Sequence, residues 1–142
     1  MPENNPHSEV VSAWRDGWAG QLSRQELVDV FERALEAIWR RAHLSLGEVT
    51  LMAIVDRVLH HGIEAYPHLA PLKVEQGGAH FGALREAAPE VAVALLEESL
   101  VFLLVELLRV FGALTGEILT PGLHGELRKV QLRPADPRGG KA

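Results

Sequence analysis

The sequence predicts an all-α domain: an antiparallel helical bundle around one long, mostly buried helix, with a minor β-hairpin at about residues 72–82 as the one alternative element. Three observations carry that expectation. From Pro89 to Ile118 the chain is almost unbroken in apolar residues. Within it Val93, Leu96, Leu100, Leu103, Leu107, Val110 and Leu114 recur at alternating spacings of three and four, the seam by which a helix buries itself against others. Two Ser-x-x-Glu segments, at Ser23 and Ser45, each place an apolar pair around a candidate N-cap, the capping box with its staple. The two helices they open are separated by only a residue or two, which favours an antiparallel helical hairpin.

Taken in order, residues 1–7 read as a disordered lead-in, residues 8–131 as a single helical domain, and residues 132–142, with Pro134, Pro137, Gly139 and Gly140, as a disordered tail. The first helix is predicted from Glu9 to about Gly20, capped by Ser8, with Val10, Val11, Trp14 and Trp18 on one side. The tryptophan pair suits either a partner anchor, since aromatic residues concentrate at interface hot spots, or burial of both indoles in the chain's own core, which is the simpler expectation. The next helix, Arg24 to His43, puts Leu27, Phe31, Ala34, Leu35, Ile38 and Ala42 on one face. It also pairs Asp29 with Arg33 and Glu36 with Arg40 at four-residue spacing. The third, Leu46 to Ala65, presents Val49, Met52, Val55, Leu59 and Ile63 and ends before Tyr66-Pro67.

From Tyr66 to Ala88 the pattern breaks at Pro67, Pro71 and Gly77-Gly78. A hairpin through Leu72–Glu75 and Ala79–Phe81, or a short helix over His80 to Ala87, fits what remains. After the long helix, placed at Glu90 to Ile118, Thr120-Pro121 opens a short basic helix reaching Val130.

The long apolar run is the one membrane candidate. Glu97, Glu98, Glu106 and Arg109 interrupt it, and each charge near a spanning centre costs about 2.5 to 3.5 kcal/mol against about 0.3 to 0.6 returned per Leu, Val or Phe. A buried helix of a soluble protein is therefore expected, with no membrane partner. At 28 residues it would be about 42 Å long and would outrun neighbours of about 30 Å. Its surplus surface points to a second copy of the chain. Phe102, Val105, Leu108 and Arg109 are the expected homodimer contact side, because the seam is needed for the chain's own core.

With 142 residues and 47% hydrophobic content the chain is long enough to bury a core unaided, so no disulfide or metal staple is required. No cysteine is present, which removes thiolate metal sites and thiol catalysis and agrees with a cytoplasmic location. The amino-terminal residues lack the basic flank and apolar stretch of a secretory signal. A formal net charge of -5 argues against a nucleic-acid partner.

The chemical inventory is thin. Seven histidines are present, and Asp56, His60 and Glu64 would form one line on the third helix, with His61 and Glu64 a further pair. They are weak metal candidates: diiron bundles use Glu-x-x-His on two helices, whereas here the order is reversed and no second copy exists. His43 suits its helix end, and His68, His80 and His124 are scattered, each a formal haem-ligand candidate. Glu97 and Glu98 are adjacent, so their side chains diverge by about 100° and do not form an acid and base pair on one atom. Ser8, Ser23 and Ser45 are read as caps, and Ser12 and Ser99 lack the surroundings of an activated nucleophile. The expectation is a non-enzymatic interaction or regulatory module without a cofactor, acting as a homodimer, with another protein as the alternative partner. The competing expectation is a helical sensor holding a small ligand, haem or metal in its core.

Overall fold

The structure is a computed structural model that describes residues 6–16, 22–75 and 78–130. Among these residues the elements are α1 (Pro6–Asp16), α2 (Arg24–Leu46), α3 (Glu48–Ala65), β1 (Lys73–Glu75), β2 (Gly78–His80), α4 (Gly82–Ala87), α5 (Val93–Leu114) and α6 (Thr120–Lys129), with 3₁₀ turns at Pro67–Leu69 and Ala88–Glu90. The all-α class holds, and both readings of the broken segment are realised in succession. An antiparallel hairpin pairs Lys73 with His80 and Glu75 with Gly78, and the short helix follows it.

Helix directions follow from cross-links. Along α3 and the turn after it, His61 meets Glu106 at 3.8 Å, Tyr66 meets Glu98 at 2.8 Å and His68 meets Ser99 at 2.8 Å, so α3 and α5 run antiparallel. Arg41 lies beside Gly122 near the start of α6, which then runs back along α2. Helices α2, α3, α5 and α6 form an up-down-up-down bundle, and two further pieces cover its grooves. Helix α1 lies against α5 and α6, whereas the hairpin lies against α2 and α3. Fully buried Phe31, Ile38, Leu100, Leu104, Leu108 and Phe111 form the centre, each contributing about 1.5 to 3 kcal/mol through burial.

Several expectations need correction. Helix α1 starts at Pro6, so Ser8 lies inside it and buried His7 belongs to the domain; Trp18 and the 132–142 tail lie outside the described residues. The Ser23 capping box is present in full, its hydroxyl accepting from the Glu26 amide while Glu26 accepts from the Ser23 amide. The Ser45 box is not. Helix α2 runs through Ser45 to Leu46, and Gly47, at φ 79° and ψ 165°, is both the end of α2 and the start of α3. Glu48 turns back to His43 instead, at 3.1 Å. Starting two residues later rotates the buried stripe of α3 onto Leu51, Ile54, Val55, Val58, Leu59 and Gly62, leaving Val49 83% exposed.

The long helix is shorter than expected at both ends. Pro89 sits in a 3₁₀ turn, Val91 and Ala92 are extended, and α5 starts at Val93. At the other end the Thr115 hydroxyl donates to the Phe111 carbonyl, and Gly116 and Glu117 take positive φ values of 61° and 67°, which stops the helix after Leu114. Of the predicted seam, Leu96, Leu100, Leu103 and Leu107 are buried and Val110 is partly buried, but Val93 and Leu114 at the frayed ends are 41% and 62% exposed. With 22 residues α5 is about 33 Å long and does not outrun the 23 residues of α2. Its mixed side is partly covered by the chain itself: Arg15 of α1 pairs with Glu97, and Tyr66 packs against Phe102 at a tilt of 58° while donating to Glu98, with Phe102 and Val105 left half-buried. No helix among the described residues is long and apolar enough to cross a membrane.

Candidate functional site

The hairpin is a thin lid. Its strands have three residues each, and of β2 Gly78, without a side chain, is buried, Ala79 is half-buried and His80 is exposed, all three bordering the space below. Gly78 holds φ at 135°, a conformation that side-chain-bearing residues rarely adopt, and a Cβ there would reach Trp39 at 3.9 Å. Such small residues cannot fill the groove between α2 and α3. A cleft of about 190 Å³ remains beneath them. Its floor is apolar, made by Val55, Val58, Leu59, Leu103, Leu107 and Phe111. Leu35, Trp39 and Leu72 form the walls, and Glu32, Glu36 and His80 stand as the polar groups of its lining. A cavity of about 150 Å³ lined by Leu, Ile and Phe is enough to bind benzene, so this space suits a ligand of one or two small rings.

The polar groups differ in how firmly they are engaged. Glu32 is tied to Arg85 of α4, while Glu36 is only 4.0 Å from Arg40, with both side chains about two-thirds exposed at 62% and 67%. His80 lies 3.6 Å from Glu75 across the hairpin. The Trp39 indole N–H has no hydrogen-bond partner among the described residues, in contrast to that of Trp14, which donates to the Val130 carbonyl at 2.8 Å.

Two histidine arrangements lie elsewhere. His68 Nε2 is 2.8 Å from Ser99 Oγ, a pairing that resembles a nucleophile and its base. The Ser99 hydroxyl, however, donates to the Leu96 carbonyl at 2.8 Å and the residue is fully buried, so His68 serves as a donor that fastens the turn to α5. Burial holds the His68 imidazole below its ordinary pKa, favouring the neutral ring, whose Nε2–H tautomer makes this contact. Near the other end of the bundle His7 Nδ1 lies 2.9 Å from His124 Nε2, both rings buried, with Glu117 3.5 Å from the far nitrogen of His7. His124 is held below its ordinary pKa, first by burial and then by His7 and Arg128, against an opposing pull from Glu117. This chain of groups joins α1 to α6.

The residues singled out from sequence do not converge. His60 and Glu64 form an exposed pair at 3.8 Å, and Asp56 takes no part in it. Among the described residues no group of three or more His, Asp or Glu is placed to hold a metal ion. His61 pairs with Glu106 rather than Glu64. Glu106 is held below the usual carboxylate range, chiefly by its hydrogen bonds from Arg109. Of the three haem-ligand candidates only His80 borders the cleft. In the expected dimer side Leu108 is fully buried, Phe102 rests on Tyr66, Val105 is partly buried and Arg109 is exposed but bonded to Glu106. Comparison of the chain with protein-family models, with curated proteins and with solved structures returns no significant match.

Proposed function

We propose that this chain is a non-enzymatic regulatory domain that works by holding a small apolar ligand in the cleft beneath its hairpin. The observation that carries the reading is the combination of an apolar lining with a Gly-Ala lid, which leaves about 190 Å³ of space beside a tryptophan and against the bundle core. Neither the Ser99 and His68 pair nor Glu97 and Glu98 supply an accessible nucleophile or a facing acid and base, which supports binding over catalysis. The ligand itself is the regulatory input, because closing the cleft fastens the hairpin to α2 and α3.

Calorimetric titration with indole tests this directly. Saturable one-to-one binding in the wild type, lost when Ala79→Trp fills the cleft in a folded variant, is the expected result. Absence of saturable binding at low millimolar indole contradicts it.

A homodimer is the second reading, and one observation favours it. The register of α3 on α5 brings the start of α3 level with the end of α5, so exposed Leu44 and Val49 share one end of the bundle with exposed Leu114 and Ile118. Light scattering of the wild type and of Val49→Glu with Ile118→Glu decides it. A wild-type dimer converted to folded monomers supports this reading, and a wild-type monomer at micromolar concentration removes it.

A further inference from the structure

We propose that the cleft selects a ligand carrying a protonated amine on its apolar body, with Glu36 as the counter-ion. The inference rests on the ligand-binding reading above and adds the chemistry of the head group. What makes the place a site is the apolar cleft; the charges around it decide only which polar end is accepted.

Among the described residues the cleft is lined by two carboxylates and one imidazole, and by no lysine or arginine. Glu32 and Glu36 stand one turn apart on α2, so both fall on the face of the helix that borders the space. They are not equivalent. Arg85 already occupies Glu32, which leaves that carboxylate largely neutralised in place. Among the described residues Glu36 has only Arg40 at 4.0 Å, an exposed pair on its own helix of the kind that is worth little and yields readily to a better partner. An ammonium arriving from the cleft would meet Glu36 at the exposed rim, where the attraction is modest and sensitive to salt but comes on top of the apolar contact of the ligand body with the cleft. Trp39 adds to the preference, since a cation close to an indole face is attracted by the ring. A carboxylate head has the opposite experience: it would approach the like charge of Glu36 with no lysine or arginine among the described lining residues to receive it. A neutral hydroxyl gains a hydrogen bond but no charge attraction.

The test is a matched series sharing one ring: 2-phenylethylamine, 2-phenylethanol and phenylacetate, titrated against the full chain by ligand-observed NMR at low salt and neutral pH. The amine is expected to bind about tenfold more tightly than the carboxylate, with the alcohol between them, and added salt should narrow the spread. Glu36→Gln should remove the advantage of the amine and leave the alcohol unchanged. Equal affinity across the series, or tightest binding of phenylacetate, overturns the head-group inference while the ligand-binding reading stands. Preserved amine preference in Glu36→Gln overturns the role of Glu36. Binding of none of the three at low millimolar concentration overturns the reading and the inference together.

Discussion

Trp14 and Trp39 are equally buried, at 9% and 8% exposure, yet they sit under different lids. Trp14 belongs to the lid itself. As part of α1 it meets Phe31 edge-on at 5.3 Å, donates its indole N–H to Val130, and helps close the α5 and α6 side of the bundle. Trp39 belongs to the bundle and looks onto a lid made of glycine and alanine, with open space alongside. The contrast teaches that fractional burial does not distinguish a filled core from the wall of a cleft. What separates them is whether the covering element brings side chains large enough to occupy the groove.

The sharpest break of this comparison is truncation of each indole. Trp14→Ala should cost about 3 to 5 kcal/mol in equilibrium unfolding, because it empties a packed site and strands the Val130 carbonyl. Trp39→Ala should cost clearly less, since one side of the ring already faces a void and part of the packing is absent from the start. Equal losses would mean that the cleft is filled in solution.

The lid can be tested next. Gly78→Ala forces a side-chain-bearing residue to φ 135° and should destabilise by about 1 to 3 kcal/mol, while weakening indole binding as the hairpin shifts. A neutral substitution would show that the hairpin relaxes without strain and that its glycine is not what keeps the lid thin.

Smaller still is the pair of serine substitutions that probes α2. Ser23→Ala should cost about 0.5 to 2 kcal/mol through loss of a real cap, whereas Ser45→Ala should be close to neutral because Ser45 lies within the helix. The reverse order in denaturant unfolding would return the α3 start to Ser45.

Acid should weaken the fold through imidazoles withdrawn from water. His124 ties α6 to α1 and has a lowered pKa in the folded protein, so the unfolded chain takes up a proton first, near the ordinary value of about 6.5. Its contribution is full above that pH and falls as pH drops below it toward the folded pKa. Unfolding measured from pH 7 to 5 should therefore show declining stability, and His124→Gln should flatten part of that slope. An unchanged slope in the variant would remove His124 as its source. His68 acts in the same direction through its own burial.

Much of the architecture was legible in sequence because it rests on periodicity. The face of α2 from Leu27 to Ala42 and the Ser23 box are legible because each depends on neighbours within a few residues; the segment after Tyr66 left hairpin and helix as alternatives and holds both, and α6 opens one residue earlier than expected, with Leu119 rather than Thr120 in the cap position. The failures have local physical causes as well. Ser45 carries the same box as Ser23, but there the preceding residues are already helical, and Gly47 supplies a turn that the serine would otherwise provide. The long helix was overextended because hydrophobicity does not register the extended Val91 and Ala92 or the hydroxyl of Thr115. The cleft was not legible at all. It arises from the meeting of α2, α3, α5 and the hairpin, and its one trace in sequence is the Gly78-Ala79 pair, whose smallness acquires meaning only opposite Trp39. The His7, His124 and Glu117 contacts likewise join residues more than a hundred positions apart.

The central claim is that, among the described residues, an apolar cleft able to hold a ligand lies on the Trp39 side of the bundle, whereas Trp14 is packed against Phe31 and bonded to Val130. Two-dimensional NMR of the indole N–H signals during titration with indole, assigned through Trp14→Phe and Trp39→Phe, addresses both sides in one experiment. A saturable shift of the Trp39 signal with the Trp14 signal stationary is the predicted result, whereas a stationary Trp39, or equal movement of both, would contradict the account.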